Sequence, residues 1–303
     1  MGFVYEHSGI PAAIFLSLYT VYEVIAIMAI RTHGFKSRYT ILGIFALLRI
    51  GAQLCAVVFA SKGYSAINWL IAYLVLGAEG YFSLVLGSFL FLAKGETMEL
   101  GTCSVRYSKE ELEIKSGGDP VRKRFYKLTS PAGLFHHSLI PANAIIIAGG
   151  SMLSGATPDE SDYDSKVKTS KGLRGAGQAI FLVNTALVGL YAVYLLTRKF
   201  VRIPIVYLVL AAVPFLLVRG VYGLLSPFVS IFNYFDMSNY TSHGVSTGFV
   251  VCEYILGAAM EFIAASILIS SYFFRNKGKQ TEYIHHRGKD QEQDEDNNRD
   301  VSV

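Results

Sequence analysis

The chain has 303 residues, of which 52% are hydrophobic and only 17% charged. That balance excludes a soluble domain built on one core and points to a polytopic membrane protein. The net charge of +4 is small and the basic residues gather in short loops, a pattern that membrane topology explains better than nucleic-acid binding.

Taken in chain order, apolar runs predict seven transmembrane helices near 9–30, 39–60, 67–93, 131–154, 173–197, 203–229 and 246–274. His136, His137 and Pro141 interrupt the first half of the fourth. The N-terminus, MGFVYEHSGI, lacks a basic n-region and a cleavage site, so the first run reads as a retained span. The loops 31–38, 94–130 and 198–202 and the tail hold three, eight, three and six lysines and arginines, twenty together, against five on the opposite side. The positive-inside rule then places the N-terminus outside and the C-terminus in the cytoplasm.

The 94–130 loop carries Ser108 and Glu111 in capping-box positions, which predicts a short amphipathic cytosolic helix. Asp119-Pro120 is expected to break it before the basic cluster Arg122-Lys123-Arg124, which reads as a stop-transfer flank or a site for lipid headgroups or a cytosolic partner. Asn239-Tyr240-Thr241 is a glycosylation sequon in an outside loop. The acidic tail 275–303 is expected to be disordered.

The informative residues are ionisable groups inside apolar runs. Glu253, Gly257 and Glu261 are spaced i, i+4, i+8 in the last run and so share a helical stripe. A charge at the bilayer centre costs about 2.5–3.5 kcal/mol on insertion scales, so the stripe should face protein or water. Glu23, Arg49, Glu79 and Arg219 lie at similar depth, with Asn143 and Asn184 near the middle of the fourth and fifth spans. Gln53 follows Arg49 by four residues and Tyr222 follows Arg219 by three, which suggests a shared polar interior. Four carboxylates face two arginines. If both arginines pair, a proton, a cation or a cationic ligand balances the rest, and the alternative is a network that only fixes helix packing.

Three short matches recur in order. Tyr19–Tyr22 resembles Tyr191–Tyr194, Phe45–Arg49 resembles Phe215–Arg219, and Leu76–Ala78 resembles Leu256–Ala258. They pair spans 1–3 with spans 5–7 as a parallel 3+1+3 repeat. The seventh span has no lysine for a retinal Schiff base, and no span pairs histidines for a haem. Cys55, Cys103 and Cys252 form no zinc or disulfide framework, and His136 and His137 point to different faces, so no metal and no cofactor is expected. Walker, G-x-S-x-G and H-E-x-x-H motifs are missing.

The short first loop, FALLRIG with Arg49, LGAEGYF with Glu79 and EYILGAAMEF together resemble the small, largely uncharacterised seven-span membrane proteins of filamentous fungi. The resemblance covers residues 1 to about 275 and implies no settled activity. By span count alone the layout also resembles fungal lipid-exporter-like and receptor-like families. It further resembles, in fold class, the seven-span terpene cyclases, in which acidic side chains protonate an epoxide or alkene.

These readings lead to an integral membrane protein that binds a small apolar, lipid-like or cationic molecule in a charged mid-membrane pocket, for transport or sensing. Its expected lining is Glu23, Arg49, Gln53, Glu79, Asn143, Asn184, Arg219, Tyr222, Glu253 and Glu261. The alternatives are an intramembrane acid–base enzyme acting through Glu79, Glu253 or Glu261, and a structural subunit. Membrane lipids and a small ligand are the expected partners, with a cytosolic partner through 94–130. The expected location is the plasma membrane or the endoplasmic reticulum and secretory pathway.

Overall fold

In the computed structural model, residues 3–153, 161–241 and 244–274 are described. The fold is all-α. Helix α1 spans Glu6–His33, α2 Tyr39–Lys62, α3 Ile67–Leu100, α4 Lys109–Ser116, α5 Pro120–Thr129, α6 Pro131–Ser151, α7 Tyr163–Thr197 and α8 Pro204–Leu225. The last long helix, α9, spans Thr247–Phe274 and contains a π-helical segment at Glu253–Ala259.

Six helical runs are long and apolar enough to cross a membrane, and one of them is the 62-residue run Tyr39–Leu100. That run holds both α2 and α3, joined by the 3-10 turn Gly63–Ala66. Gly63 caps α2 at φ +68°, a left-handed value that a side chain would resist, and the two helices pack along each other.

Polarity is distributed inside out relative to a soluble protein. Val21, Val24, Met28, Leu47, Leu187 and Leu190 are exposed, whereas Arg49, Gln53, Ser88, Thr185 and Glu261 are buried. An apolar mantle over an interior that also holds ionisable groups is what a bilayer solvent selects, and the protein is membrane-embedded. The interior is aromatic: Tyr19, Tyr22, Phe45, Tyr81 and Phe91 are all buried.

Local chemistry explains the helix starts. Ser130 accepts from the backbone N–H of Gly133 at 3.1 Å and Pro131 occupies the first turn of α6. Ser108 and Glu111 form the expected capping box of α4. Asp119-Pro120 does more than interrupt. Asp119 accepts from Val121 N at 2.9 Å and Pro120 opens α5, so the basic cluster is helical. Two helices outrun their expected spans: α3 continues to Leu100 and α7 already begins at Tyr163. Polar helical turns at these ends carry no hydropathy signal.

At one end of the bundle a two-residue hairpin, Tyr240–Thr241 with Gly244–Val245, packs beside Tyr5. Asn239 is buried there, and its Nδ2 donates to Ser230 O at 2.6 Å and Asn233 O at 2.9 Å. The atom a glycan would be joined to thus makes two hydrogen bonds within the loop. The tail 275–303 lies outside the described residues.

Candidate functional site

Arg49 projects from α2, Arg219 from α8 and Glu261 from α9, each from well inside its helix. The three meet. Arg49 Nη2 donates to Glu261 Oε2, and Arg219 Nε donates to Glu261 Oε1 at 2.6 Å. Both arginines thus share one carboxylate, where the sequence reading considered separate partners. Each guanidinium carries five N–H donors. Among the described residues neither makes a further hydrogen bond to protein, and Arg49 Nε is buried without a partner.

Glu253, two turns earlier on α9, is held differently. Tyr73 Oη donates to its Oε1 at 3.0 Å and Tyr222 Oη to its Oε2 at 2.6 Å. The ring of Tyr222 also lies 5.7 Å from the Arg219 guanidinium, and that of Tyr81 lies 5.2 Å from it. Tyr81 Oη is fixed in turn by Thr185 Oγ1 at 2.9 Å and Leu216 O at 3.1 Å. This aromatic packing orients the guanidinium toward Glu261.

Beside this cluster is a cavity of ≈ 140 Å³. Arg49, Arg219, Glu253 and Tyr222 line it, together with Tyr73, Arg174, Gln178 and Tyr234. Its other wall is apolar, formed by Ile71, Leu74 and Val75 of α3 and Ile146 and Ile147 of α6.

The remaining expected residues sit around or away from this cavity. Gln53 accepts from Tyr254 Oη at 3.2 Å. Glu79 accepts from Asn143 Nδ2, joining α3 to α6. Asn184 pairs with Ser138 (3.1 Å) beside a separate apolar hollow that also contacts Phe89 and Phe135. Glu23 is buried elsewhere, near Gly43, with Oε2 unpartnered. The structure therefore unites Arg49, Arg219, Tyr222, Glu253 and Glu261, and leaves Glu23 and Asn184 apart.

Sequence reasoning missed Arg174, which it counted with the loop charges, and Tyr73, Gln178 and Tyr234. Gln178 follows Arg174 by four residues, so the pair forms a polar stripe on α7 that was there to be read. Arg174 Nη1 donates to Asn233 Oδ1 at 3.2 Å and its guanidinium lies 4.8 Å from the centre of the Phe235 ring.

Two networks outside the transmembrane core hold connecting segments. Lys123 Nζ meets Glu113 Oε2 at 2.7 Å across α4 and α5, and this hydrogen bond holds the Glu113 carboxyl below its ordinary range. Asp236 is likewise held low, because Ser230 Oγ donates to it at 2.6 Å and Ser238 Oγ at 2.7 Å. No family model, curated protein or solved structure matches the chain.

Proposed function

We propose that this chain binds a small lipid-like molecule in the cavity between α3, α6, α7, α8 and α9, for transport or for sensing. One observation carries the reading: a cavity inside an apolar bundle has a charged, aromatic wall facing a wall of aliphatic side chains. Few precisely placed polar groups against a predominantly apolar lining are the ordinary composition of a small-molecule site. Of the apolar, lipid-like and cationic ligands considered, the lipid-like one is best supported. Every carboxylate oxygen of Glu261 and Glu253 already accepts a hydrogen bond, and the lining holds three arginines against one carboxylate, which disfavours a cation.

In this reading the chain crosses the membrane seven times, with the 62-residue run folding back at Gly63 and the N-terminus outside. The antiparallel packing of α2 on α3 supports the fold-back, and the loop charges support the orientation.

The test is binding to purified full-length chain in nanodiscs. Co-purifying lipid-like molecules should be found by mass spectrometry and lost in Ala78→Phe, which fills the cavity, while the thermal transition of the variant persists. Equal retention by both proteins overturns the reading. A second reading, an intramembrane acid–base enzyme, is favoured by Glu253 alone of the three candidate acids, because it lines the cavity between two tyrosine hydroxyls. Glu253→Gln should then abolish conversion of an isoprenoid substrate in microsomes that still contain the protein.

A further inference from the structure

The wall of the cavity carries more positive than negative charge. Arg49, Arg174 and Arg219 line it, and Glu253 is the single carboxylate among the lining residues. Glu261, just behind, neutralises one of the two arginines it touches. Three guanidinium groups thus stand against two carboxylates when all are ionised.

Among the described residues Arg174 makes no ion pair. It is buried, its hydrogen-bond partner among the described residues is the neutral side chain of Asn233, and its face is covered by Phe235. Asn233 Oδ1 also accepts from Phe235 N at 3.1 Å, so the same loop that covers Arg174 fixes the amide that aims it. Gln178 adds an amide with an unpartnered buried oxygen; turning the amide over brings its NH2 group to the same place. A buried guanidinium lacking a carboxylate is costly unless a ligand supplies the charge. Arg49 and Arg219 line the same space.

Opposite this wall, Val75 is exposed and Ile71, Leu74 and Ile147 are part-exposed, so the aliphatic side continues to the flank of the bundle between α3 and α6. An apolar chain can lie along it while its polar end rests on the arginines.

Building on the lipid-binding reading above, we infer that the ligand is an amphipathic anion, its carboxylate or phosphate set among Arg49, Arg174 and Arg219 and its hydrocarbon running out between α3 and α6. Arg174 supplies the otherwise unbalanced positive charge. Glu253 stands on the same wall, its oxygens accepting from Tyr73 and Tyr222, and the three guanidinium groups outweigh it and Glu261 in charge. Arg guanidinium groups suit such a headgroup because their planar fork matches carboxylate and phosphate geometry.

The experiment uses the full chain in detergent, with binding followed by thermal shift and calorimetry against four probes of equal chain length: oleate, dioleoyl phosphatidate, oleyl alcohol and oleylamine. Oleate or phosphatidate, or both, should bind and raise the transition; which of them does so identifies a carboxylate or a phosphate headgroup. Arg174→Gln should weaken that binding about ten- to a hundredfold, the equivalent of one charge-assisted hydrogen bond, and Arg174→Lys should restore part of it. Neither substitution touches the Arg49–Glu261–Arg219 bridge, and the unliganded transition reports whether each variant folds. If Arg174→Gln does not fold, Arg174→Lys and Gln178→Leu carry the same comparison. Undiminished oleate binding in the folded variants, or oleylamine binding as tightly as oleate, overturns the inference. So does inorganic phosphate or acetate matching the chain-bearing anions. If oleyl alcohol binds as tightly as oleate and Ala78→Phe removes it, cavity binding stands and only the anionic class falls. If none of the probes binds, both fall.

Discussion

A methyl group at Gly80 would stand 2.6 Å from Nε of Arg49, so the guanidinium from α2 crosses α3 over a residue that has no side chain. Gly80→Ala should displace Arg49 from Glu261 and lower stability by about 1–3 kcal/mol, the usual cost of overpacking a tight site. Gly172 on α7 is the control, with nothing within 4 Å of its would-be Cβ. Gly172→Ala should be neutral or stabilising by about 0.5–1 kcal/mol. Thermal unfolding in one detergent compares the two directly.

Removing Glu261 leaves two buried guanidinium groups facing each other. Glu261→Gln should cost about 3–5 kcal/mol, because breaking a buried pair strands the remaining charges. Replacing Arg49, Arg219 and Glu261 together by Met, Met and Leu should recover most of that loss. Failure of the triple variant to exceed Glu261→Gln in transition temperature would contradict the electrostatic account.

The two tyrosines on Glu253 should not act independently. Tyr73→Phe and Tyr222→Phe each remove a hydrogen bond to a charged group, about 1.5–3 kcal/mol apiece. Because both serve one carboxylate, a double-mutant cycle should show coupling of at least about 0.5 kcal/mol. Strict additivity would mean that Glu253 is held by something other than its two hydroxyl partners.

The loop that aims Arg174 should respond to acid. The Ser230 and Ser238 hydroxyls favour ionised Asp236 and hold its carboxyl below the ordinary 3.8. A depressed folded value contributes stability above the unfolded value and loses it as pH falls through the folded one. Amide protection across 230–239, corrected for the intrinsic exchange rate at each pH, should therefore be unchanged from neutral pH down to about 4 and fall below it. Asp236→Asn should show the weaker protection already at neutral pH.

How much of this was readable in advance follows from where each charge sits. Arg49, Arg219 and Glu261 stood out because each interrupts an apolar run, and a charge there must find company. Arg174 did not stand out, since it falls where polar loop composition passes into the α7 apolar run, and nothing local separates an inward-facing arginine from a flanking one. Tyr73 and Tyr234 were invisible for a related reason: tyrosine is ordinary at membrane interfaces, and only the tertiary fold turns these rings toward Glu253. Glu23 misled in the other direction. Its depth matched that of the others, but depth does not give azimuth, and it packs near Gly43 instead. Helix ends were the least legible, as the polar turns at Glu96–Leu100 and Tyr163–Leu173 show.

The π-helical turn at Glu253–Ala259 acts as a phase shifter between two neighbouring carboxylates. An α-helix advances about 100° per residue, so closing that widened turn by deleting one residue would swing everything before it by roughly that angle. Glu261 would stay with its arginines while Glu253 rotated off its tyrosines and out of the cavity. In such a deletion variant the polarity of the hollow would change through helical phase alone, leaving the ionic clasp that joins α2, α8 and α9 untouched.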